Sequence, residues 1–356
     1  MKPQNDMLRD RFIGQKEKMI DAFKKMDQID KKLLIVLDNN DKYRSLLSAG
    51  DIQRAIINGV SLDAKIDDIL FRKVKIATLN DDFEDIKKMI FEFRMELCPV
   101  IDENNNIVKV YFWEDLFGTD QQLPKSQFNL PVVIMAGGLG TRLKPLTNVL
   151  PKPLIPIGDK TIIEEIFERF AEHGCSDFHV SVNYRADLIE YYLRNQNLPY
   201  TLSFFKEDKP MGTAGSLSLL KNKINDTFFV SNCDILIKQD YSEILDYHRQ
   251  NNNEITVVAA MKNYNIPYGT IKSGKDGELI ELVEKPDMNF MINSGLYVLE
   301  PHLIDDIPEN VFFHITDLIE KVKSRNGKVG VFPVSEKSWR DIGEWDKYIY
   351  EIKLSE

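Results

Sequence analysis

Strand-sized apolar segments alternate with segments of helical periodicity along the chain beyond residue 130. Strands that alternate with helices in this way form a mainly parallel sheet covered by helices on both faces, which predicts an α/β fold. In such sheets ligands bind outside the carboxyl ends of the strands, so the chemistry is expected at that edge. The strand candidates are residues 130–136, 178–182, 228–230 and 255–260, and the helix candidates are residues 162–171, 188–194 and 244–249.

The first part of the chain contains an internal repeat of a helix, a strand, a turn, a second strand and a helix. Units of this length cannot each bury a core alone, so we expect the two copies to pack as a pair. In the first copy the helix stripe covers residues 19–26, the strand residues 33–37 and the turn residues 38–41; in the second copy these are residues 83–93, 98–101 and 102–106.

The length of 356 residues suits two domains, because single cores stop growing at about 250–300 residues. Residues 121–129 are polar, turn-rich and without periodicity, so we interpret them as a linker. The predicted division is therefore a small α/β domain over residues 1–120, the linker 121–129, and a larger α/β domain over residues 130–356.

Composition excludes several classes of protein. The net charge of −10 argues against non-specific nucleic-acid binding, which needs a positive field. No apolar run approaches the roughly 20 residues of a membrane helix, and the N-terminus is too polar for a signal peptide. The cysteines are few and far apart, so we expect neither disulfides nor zinc but a cytoplasmic protein. Binding of polyphosphates by so acidic a chain would require specific basic and metal-binding positions.

A glycine cluster follows the first predicted strand of the larger domain and runs into a proline-rich loop. Glycines at this place let backbone N–H groups approach a phosphate chain closely. The Walker P-loop is excluded because its closing Gly-Lys-Ser/Thr is absent. The dinucleotide fingerprint is excluded because Leu143 stands at its third small position and the prolines forbid a long helix. What remains is a stiff loop that carries Arg142, Lys144 and Lys152.

The sequence of residues 136–153 resembles the signature of the sugar-1-phosphate nucleotidyltransferases, and the similarity extends over roughly residues 130–350. The resemblance implies a Rossmann-like, GT-A-like nucleotidyltransferase domain. It implies that Arg142 holds a nucleoside triphosphate and that Lys152 binds phosphate. The implied nucleotide-binding residues of this loop are Ala136, Gly137, Gly138, Gly140 and Thr141.

Two aspartates are candidate ligands of Mg²⁺, which usually takes one or two protein carboxylates plus substrate oxygens. Asp234 ends an apolar strand-like run, and Asp341 lies in a Trp-Arg-Asp-Ile-Gly segment. Either one alone is equally well explained as a turn residue. Together with the glycine loop they match the two metal ligands of the family, which makes Mg²⁺ the implied cofactor.

The same resemblance assigns the remaining substrate contacts. A second glycine segment with Gly212 and Thr213, preceded by Glu207, would line the base pocket, and its Gly-Thr-Ala-Gly form favours GTP. The implied sugar contacts are Gly269, Glu284 and Asn293, and Lys285 would neutralise phosphate.

The repeat in residues 1–120 resembles a tandem CBS pair, a small nucleotide-binding regulatory module. Ser48 and Asp51 match its Ser/Thr-x-x-Asp element, which contacts a ribose, so the resemblance implies an adenine nucleotide as a ligand. The alternative is that both residues only cap a helix, because both types are strong N-caps.

The expected reaction joins a hexose-1-phosphate to GTP and gives a GDP-sugar and pyrophosphate. A CBS pair fused to such a domain resembles the glucosamine-1-phosphate guanylyltransferases of bacterial legionaminic acid synthesis, so glucosamine-1-phosphate is the first expected substrate. A mannose-1-phosphate guanylyltransferase, or another sugar-1-phosphate nucleotidyltransferase, is the alternative. A non-catalytic nucleotide sensor is the remaining alternative, and a homo-oligomer stays open.

Overall fold

The computed structural model describes residues 8–70, 74–118, 125–345 and 348–349. The chain forms two compact units, residues 1–124 and residues 125–356. In the described part of the chain, no helix is long and apolar enough to cross a lipid bilayer.

The first unit contains two three-stranded sheets, one from each copy of the repeat. In both sheets the first strand is parallel to the second and the second is antiparallel to the third. The first copy comprises β1 (Phe12–Gly14), α1 (Met19–Ile29), β2 (Leu33–Leu37), β3 (Tyr43–Ser48) and α2 (Ala49–Ile57), and the second comprises β4 (Ala77–Thr78), α3 (Phe83–Glu92), β5 (Leu97–Ile101), β6 (Ile107–Phe112) and α4 (Trp113–Phe117), with a 3-10 turn at Ile66–Ile69.

The two copies bury a common core. Ile35 and Leu46 of the first copy pack in one cluster with Leu97 and Val110 of the second, and all four are buried. Burial of this kind removes apolar area that neither short sheet could cover by itself. The expectation that the copies pack as a pair is therefore confirmed.

Ser48 and Asp51 form a capping box at the start of α2. The Ser48 Oγ accepts a hydrogen bond from the Asp51 N–H at 3.2 Å, and the Ser48 N–H donates to Asp51 Oδ2 at 2.9 Å. The Ser48 hydroxyl also donates to the same carboxylate at 2.7 Å, and Arg54 pairs with it. The geometry supports the capping alternative, because the Ser48 hydroxyl and the Asp51 carboxylate both have hydrogen-bond partners at the start of α2.

The second unit is built on a seven-stranded sheet. Its strands are β7 (Val132–Met135), β10 (Asp177–Val182), β11 (Thr201–Lys206), β12 (Phe228–Asn232), β14 (Ile255–Asn265), β17 (Asp287–Leu299) and β18 (Val329–Val334). They lie in the order β11-β10-β7-β12-β17-β14-β18. β17 is antiparallel to both neighbours, and the other pairings are parallel.

Helices and three small ladders surround this sheet. The helices are α5 (Ile162–Ala171), α6 (Ala186–Asn195), α7 (Gly212–Gly215), α8 (Tyr241–Gln250) and α9 (Ile315–Ser324). The ladders pair β8 (Pro156–Ile157) with β9 (Lys160–Thr161), β13 (Ile235–Ile237) with β19 (Trp339–Asp341), and β15 (Thr270–Ser273) with β16 (Leu279–Val283). The mainly parallel α/β sheet of the sequence analysis is confirmed.

The predicted linker ends earlier than the sequence indicates. The Phe128 N–H donates to the His173 carbonyl at 2.9 Å, and the Phe128 ring stacks on His173 with centroids 5.2 Å apart. Gln127 donates to the Glu172 carbonyl at 2.8 Å. Residues 125–129 therefore pack on the second unit, although their polar composition is typical of a loop; residues 121–124 lie outside the described residues.

Candidate active site

The glycine loop leaves the carboxyl end of β7 and turns sharply at Gly140, whose φ is 62°. A β-carbon at Gly140 would lie 2.8 Å from Thr147 Cγ2, so the turn has no room for a side chain. The Thr147 hydroxyl closes the turn by donating to the Gly140 carbonyl at 2.9 Å. As the prolines predict, the loop continues only in short 3-10 turns, which are Thr141–Leu143, Leu146–Asn148 and Lys152–Leu154.

Glu207 is a buried carboxylate beneath this loop. Its Oε1 accepts from the Ser181 hydroxyl at 2.6 Å, and its Oε2 accepts from the Met211 N–H at 3.0 Å. A β-carbon at Gly137 would lie 2.9 Å from Glu207 Oε1. Glu207 thus connects the first glycine segment to the second, because it holds the backbone of Met211. The next residue, Gly212, has a φ of 81°.

Asp234 and Asp341 come together through the ladder of β13 and β19. Ile235, the residue after Asp234, is paired directly with Asp341. The Ile342 N–H donates to the Asp234 carbonyl at 2.8 Å, which fixes the two segments just beyond the ladder. Two acids that are distant in the sequence therefore reach the same edge of the sheet.

A network of charges fills the space between these segments. The Lys152 ammonium pairs with Asp234 Oδ2, and the two side chains are 8% and 17% exposed. Arg142 lies 3.9 Å from the same oxygen and 3.0 Å from Glu344 Oε1. A β-carbon at Gly343 would lie 2.8 Å from Asp341 Oδ1, 2.9 Å from Lys152 Nζ and 3.1 Å from Arg142 Nη2, so the three charged groups surround this glycine.

Two adjoining cavities open at this network. The first, of about 370 Å³, is lined by the glycine loop, Arg142, Lys152, Glu207, Gly212 and Thr213. The second, of about 450 Å³, is lined by Asp234, Asn293 and Asp341 among others. Arg142, Thr213, Asn232 and Asp234 line both cavities, which makes them one continuous cleft with the charges at its centre.

A family model described as "Nucleotidyl transferase" matches residues 131–355, which is most of the second unit. The chain belongs to the nucleotidyl transferase family. The sequence-based expectation of a nucleotidyltransferase enzyme is thereby confirmed.

Several known proteins are similar to this nucleotidyltransferase. The mannose-1-phosphate guanyltransferase of Debaryomyces hansenii is 38% identical over 183 residues, covering 49% of this chain and 50% of that protein. The probable mannose-1-phosphate guanylyltransferase 1 of Oryza sativa subsp. japonica is 29% identical over 234 residues, covering 63% of this chain and 64% of that protein. The chain thus spans 50% to 64% of the length of these two curated relatives.

A solved structure shares the fold of the second unit. HddC from Yersinia pseudotuberculosis, complexed with GMP-PN, has a TM-score of 0.51 and 26% sequence identity, and the match covers 64% of this chain and 100% of that chain. The family model and this structure address the second unit, so the CBS interpretation of residues 1–120 stays a prediction.

Asp234 and Asp341 of this nucleotidyltransferase suit Mg²⁺ better than a metal ion whose ligands must all come from the protein. Among the described residues, no group of three or more His, Cys, Asp or Glu side chains is placed to hold a metal ion. Asp234 and Asp341 line one cavity as a pair. Mg²⁺ asks for one or two carboxylates and completes its shell with water and substrate phosphates, so this donor set suits it.

The residues implied in sugar binding are divided by the structure. Asn293 on β17 lines the second cavity beside the two aspartates. Gly269, Glu284 and Lys285 flank the β15–β16 hairpin, are exposed, and are not among the residues lining the two cavities. Gly269 and Glu284 are neighbours, since a β-carbon at Gly269 would lie 2.9 Å from Glu284 Oε2.

Cys233 stands immediately before Asp234 and lines the first cavity. Burial raises the pKa of its thiol to about 12, and the Asp234 carboxylate adds to the increase. The thiol therefore stays protonated at neutral pH, and since the thiolate is the reactive form of cysteine, it is a packing group here.

Sequence reasoning missed Thr147, Gly343 and Glu344. Thr147 is a polar residue in a polar loop, and nothing in the sequence shows that it is buried. Gly343 could have been found from its position two residues after a candidate metal ligand, where a close approach favours glycine. Nothing in the sequence points to Glu344, because its contact with Arg142 forms only when the chain has folded.

Gly137→Ala and Gly138→Ala provide a matched test of the loop. At Gly137 the new methyl group would lie 2.9 Å from Glu207 Oε1 and 3.2 Å from Asn183 Cβ, whereas at Gly138 nothing lies within 4 Å. We expect Gly137→Ala to lower the free energy of unfolding by about 1–3 kcal/mol, as overpacking does, and Gly138→Ala to change it little. Urea denaturation followed by fluorescence measures both. Equal stabilities of the two variants would contradict the tight packing of Gly137.

Proposed function

We propose that the protein transfers GMP from GTP to a hexose-1-phosphate, giving a GDP-sugar and pyrophosphate. The observation that carries the proposal is the charge network of the cleft. Arg142 and Lys152 lie with Asp234 and Asp341 around Gly343, beside the glycine loop. A site for two mutually repelling phosphate groups needs both fixed cations and metal-binding acids, and this cleft contains both.

The chemistry is an in-line substitution at phosphorus. A phosphate oxygen of the sugar-1-phosphate forms a bond to the α-phosphorus of GTP. The bond from that phosphorus to the oxygen bridging the α- and β-phosphates breaks, and pyrophosphate leaves with the electron pair. No covalent intermediate on the protein is required, so positioning and charge neutralisation supply the acceleration.

Charge repulsion is the main obstacle to this reaction. One pair of like charges about 4 Å apart costs about 4 kcal/mol at an effective dielectric constant of 20. Lys152 is nearly buried, so its charge acts in a medium where electrostatic interactions are weakly screened. Mg²⁺ held by Asp234 and Asp341 would supply further neutralisation of phosphate charge. Arg142, which is half-exposed, is suited to the triphosphate because its guanidinium offers paired donors to phosphate oxygens.

The nucleotide is assigned to the first cavity. Gly137, Gly138 and Gly140 line this cavity, and Gly138 has open space beside it. Glycines allow a phosphate chain to approach backbone N–H groups closely. Glu207, Gly212 and Thr213 line the same cavity, and we assign the base to them. The choice of GTP rests on the Gly-Thr-Ala-Gly segment and on the guanylyltransferase names of the relatives.

The hexose-1-phosphate is assigned to the second cavity, beside Asn293. Mannose-1-phosphate is the preferred substrate, because the two curated relatives described above are named as mannose-1-phosphate guanylyltransferases. This favours the alternative of the sequence analysis over glucosamine-1-phosphate. The relatives give no support to a role in legionaminic acid synthesis.

Pyrophosphate release tests the reaction directly. We expect GTP with mannose-1-phosphate and Mg²⁺ to give the highest kcat/KM in a matrix of four nucleoside triphosphates against mannose-, glucosamine- and glucose-1-phosphate. EDTA should abolish the release. Activity only with another base or sugar would change the assigned substrate. Nucleotide binding without release for every pair would favour the non-catalytic sensor.

Asp234→Asn separates the catalytic role of Asp234 from its structural one. The variant removes the negative charge but leaves an oxygen that can accept from the nearly buried Lys152, so the fold should persist. We expect at least a hundredfold loss of kcat with a circular dichroism spectrum like that of the wild type. Asp240→Asn is the matched control, since Asp240 caps α8 away from the cleft. A variant with near wild-type kcat would remove Asp234 from the mechanism.

The N-terminal unit is proposed as a CBS pair that binds an adenine nucleotide. Its support is the repeated fold and the common core of the two copies. A ligand present at 100 times its dissociation constant should stabilise the unit by about 2.7 kcal/mol, so AMP, ADP and ATP are titrated in thermal-shift measurements.

Ser48→Ala lowers the stability by loss of the cap, by about 0.5–2 kcal/mol, with or without ligand. Only loss of the ligand-induced shift in this variant supports ribose contact, and absence of any shift in the wild type contradicts the proposal.

A further inference from the structure

Residues 342–345 follow β19 and are called the strap here; one of them, Gly343, lines the first cavity. The strap is anchored at both ends. The Gly343 N–H donates to Asp341 Oδ1 at 2.8 Å, and the Trp345 indole N–H donates to the Lys144 carbonyl at 2.8 Å. Glu344 lies between these two anchors. The segment that carries the proposed metal ligand therefore also holds the backbone of Glu344 in place.

Glu344 points its carboxylate at Arg142. The Arg142 Nη1 donates to Glu344 Oε1 at 3.0 Å, which is a normal charge-assisted hydrogen bond. The other terminal nitrogen of the guanidinium lies 3.9 Å from Asp234, at the margin of an ion pair. Glu344 is therefore the nearer of these two carboxylates to Arg142. An anion that takes its hydrogen bond from Nη1 of Arg142 must compete with this carboxylate for that donor.

We propose that Glu344 is a positioning residue that acts through Arg142: it competes with the triphosphate for the guanidinium and so weakens binding of the triphosphate. This inference rests on the proposed function, because it assigns Arg142 to the triphosphate. It adds to that function a residue that sets affinity without touching the reacting atoms. The strap keeps the competing carboxylate in place, so the competition is built into the fold.

The size of the effect follows from the exposure of the pair. The Arg142 and Glu344 side chains are 58% and 47% exposed, so the pair is solvent-screened. Exposed ion pairs of this kind change equilibria by a small factor, about two- to fivefold. Replacing the carboxylate by an amide should therefore tighten triphosphate binding by about two- to fivefold. Since the contact of Arg142 with the triphosphate exists before and during the reaction, KM for GTP should fall while kcat changes little.

The test measures binding of inorganic tripolyphosphate in EDTA, by titration calorimetry, to the wild type and to Glu344→Gln. This probe has no base, and EDTA removes any dependence on metal. Glu320→Gln is the charge-matched control, because Glu320 pairs with Lys323 on α9. We expect Glu344→Gln to lower the dissociation constant by about two- to fivefold and Glu320→Gln to leave it unchanged.

A double-mutant cycle decides whether Glu344 acts through Arg142. In the Arg142→Gln background the gain from Glu344→Gln should vanish, because the shared partner is gone. An equal gain in both backgrounds would overturn the inference, since it would reflect only the general loss of a negative charge. No gain in the wild-type background, while tripolyphosphate still binds, would also overturn it and leave the proposed function intact. A wild type that binds neither tripolyphosphate nor GTP with Mg²⁺ would overturn the proposed function and this inference together.

Discussion

The pairing of Lys152 with Asp234 is the interaction on which the cleft depends. An ammonium group this deeply buried must be paired, because an isolated buried charge is expensive. The pair also resolves the conflict between a net charge of −10 and a site for polyphosphates. The cations are concentrated at one edge of the sheet and are balanced there by carboxylates, so a phosphate that binds exchanges partners with them.

This balance requires two distant segments to meet within a small space. The ladder of β13 and β19 accomplishes this with three paired positions, and its apolar residues Ile235, Leu236 and Ile237 are all buried. The Ile342 N–H adds a bond to the Asp234 carbonyl. Gly343 then lets the charged groups of both segments approach, because any side chain there would displace them. The site lies at the edge of the sheet, and the short ladder aligns the segments of Asp234 and Asp341 there.

Much of this fold is predictable from periodicity, and the exceptions have physical causes. The strand predicted at residues 33–37 is β2 with the same bounds, and the strand predicted at residues 178–182 lies within β10. β17 is not predicted, because its first half, paired with the end of β14, is exposed and its second half is buried. It therefore shows neither clean alternation nor a uniform apolar run. Residues 125–129 look like a linker for a related reason: their hydrogen bonds to the Glu172 and His173 carbonyls, just beyond α5, and the stacking of Phe128 on His173 are contacts that composition does not reveal. In the cleft, the glycines, cations and aspartates can be predicted from residue type and motif. Glu344 cannot, because only the folded structure shows its contact with Arg142.

The two halves of the cleft are built differently, and this determines what a sequence can reveal about the substrate. The half that we propose for the nucleotide rests on buried groups such as Glu207 and Ser181, whose hydrogen bonds tolerate little change. The phosphate groups are common to every reaction of this class, so the same glycines and cations serve all of them. Of the residues proposed to contact the sugar, Asn293 lies in the cleft, whereas Gly269 and Glu284 flank an exposed hairpin. Discrimination between a 2-hydroxyl and a 2-amino group depends on a few polar contacts there, each of which can be exchanged without disturbing a core. The glycine loop is therefore the best guide to the proposed reaction, and under this proposal the residues around the hairpin determine which sugar is bound.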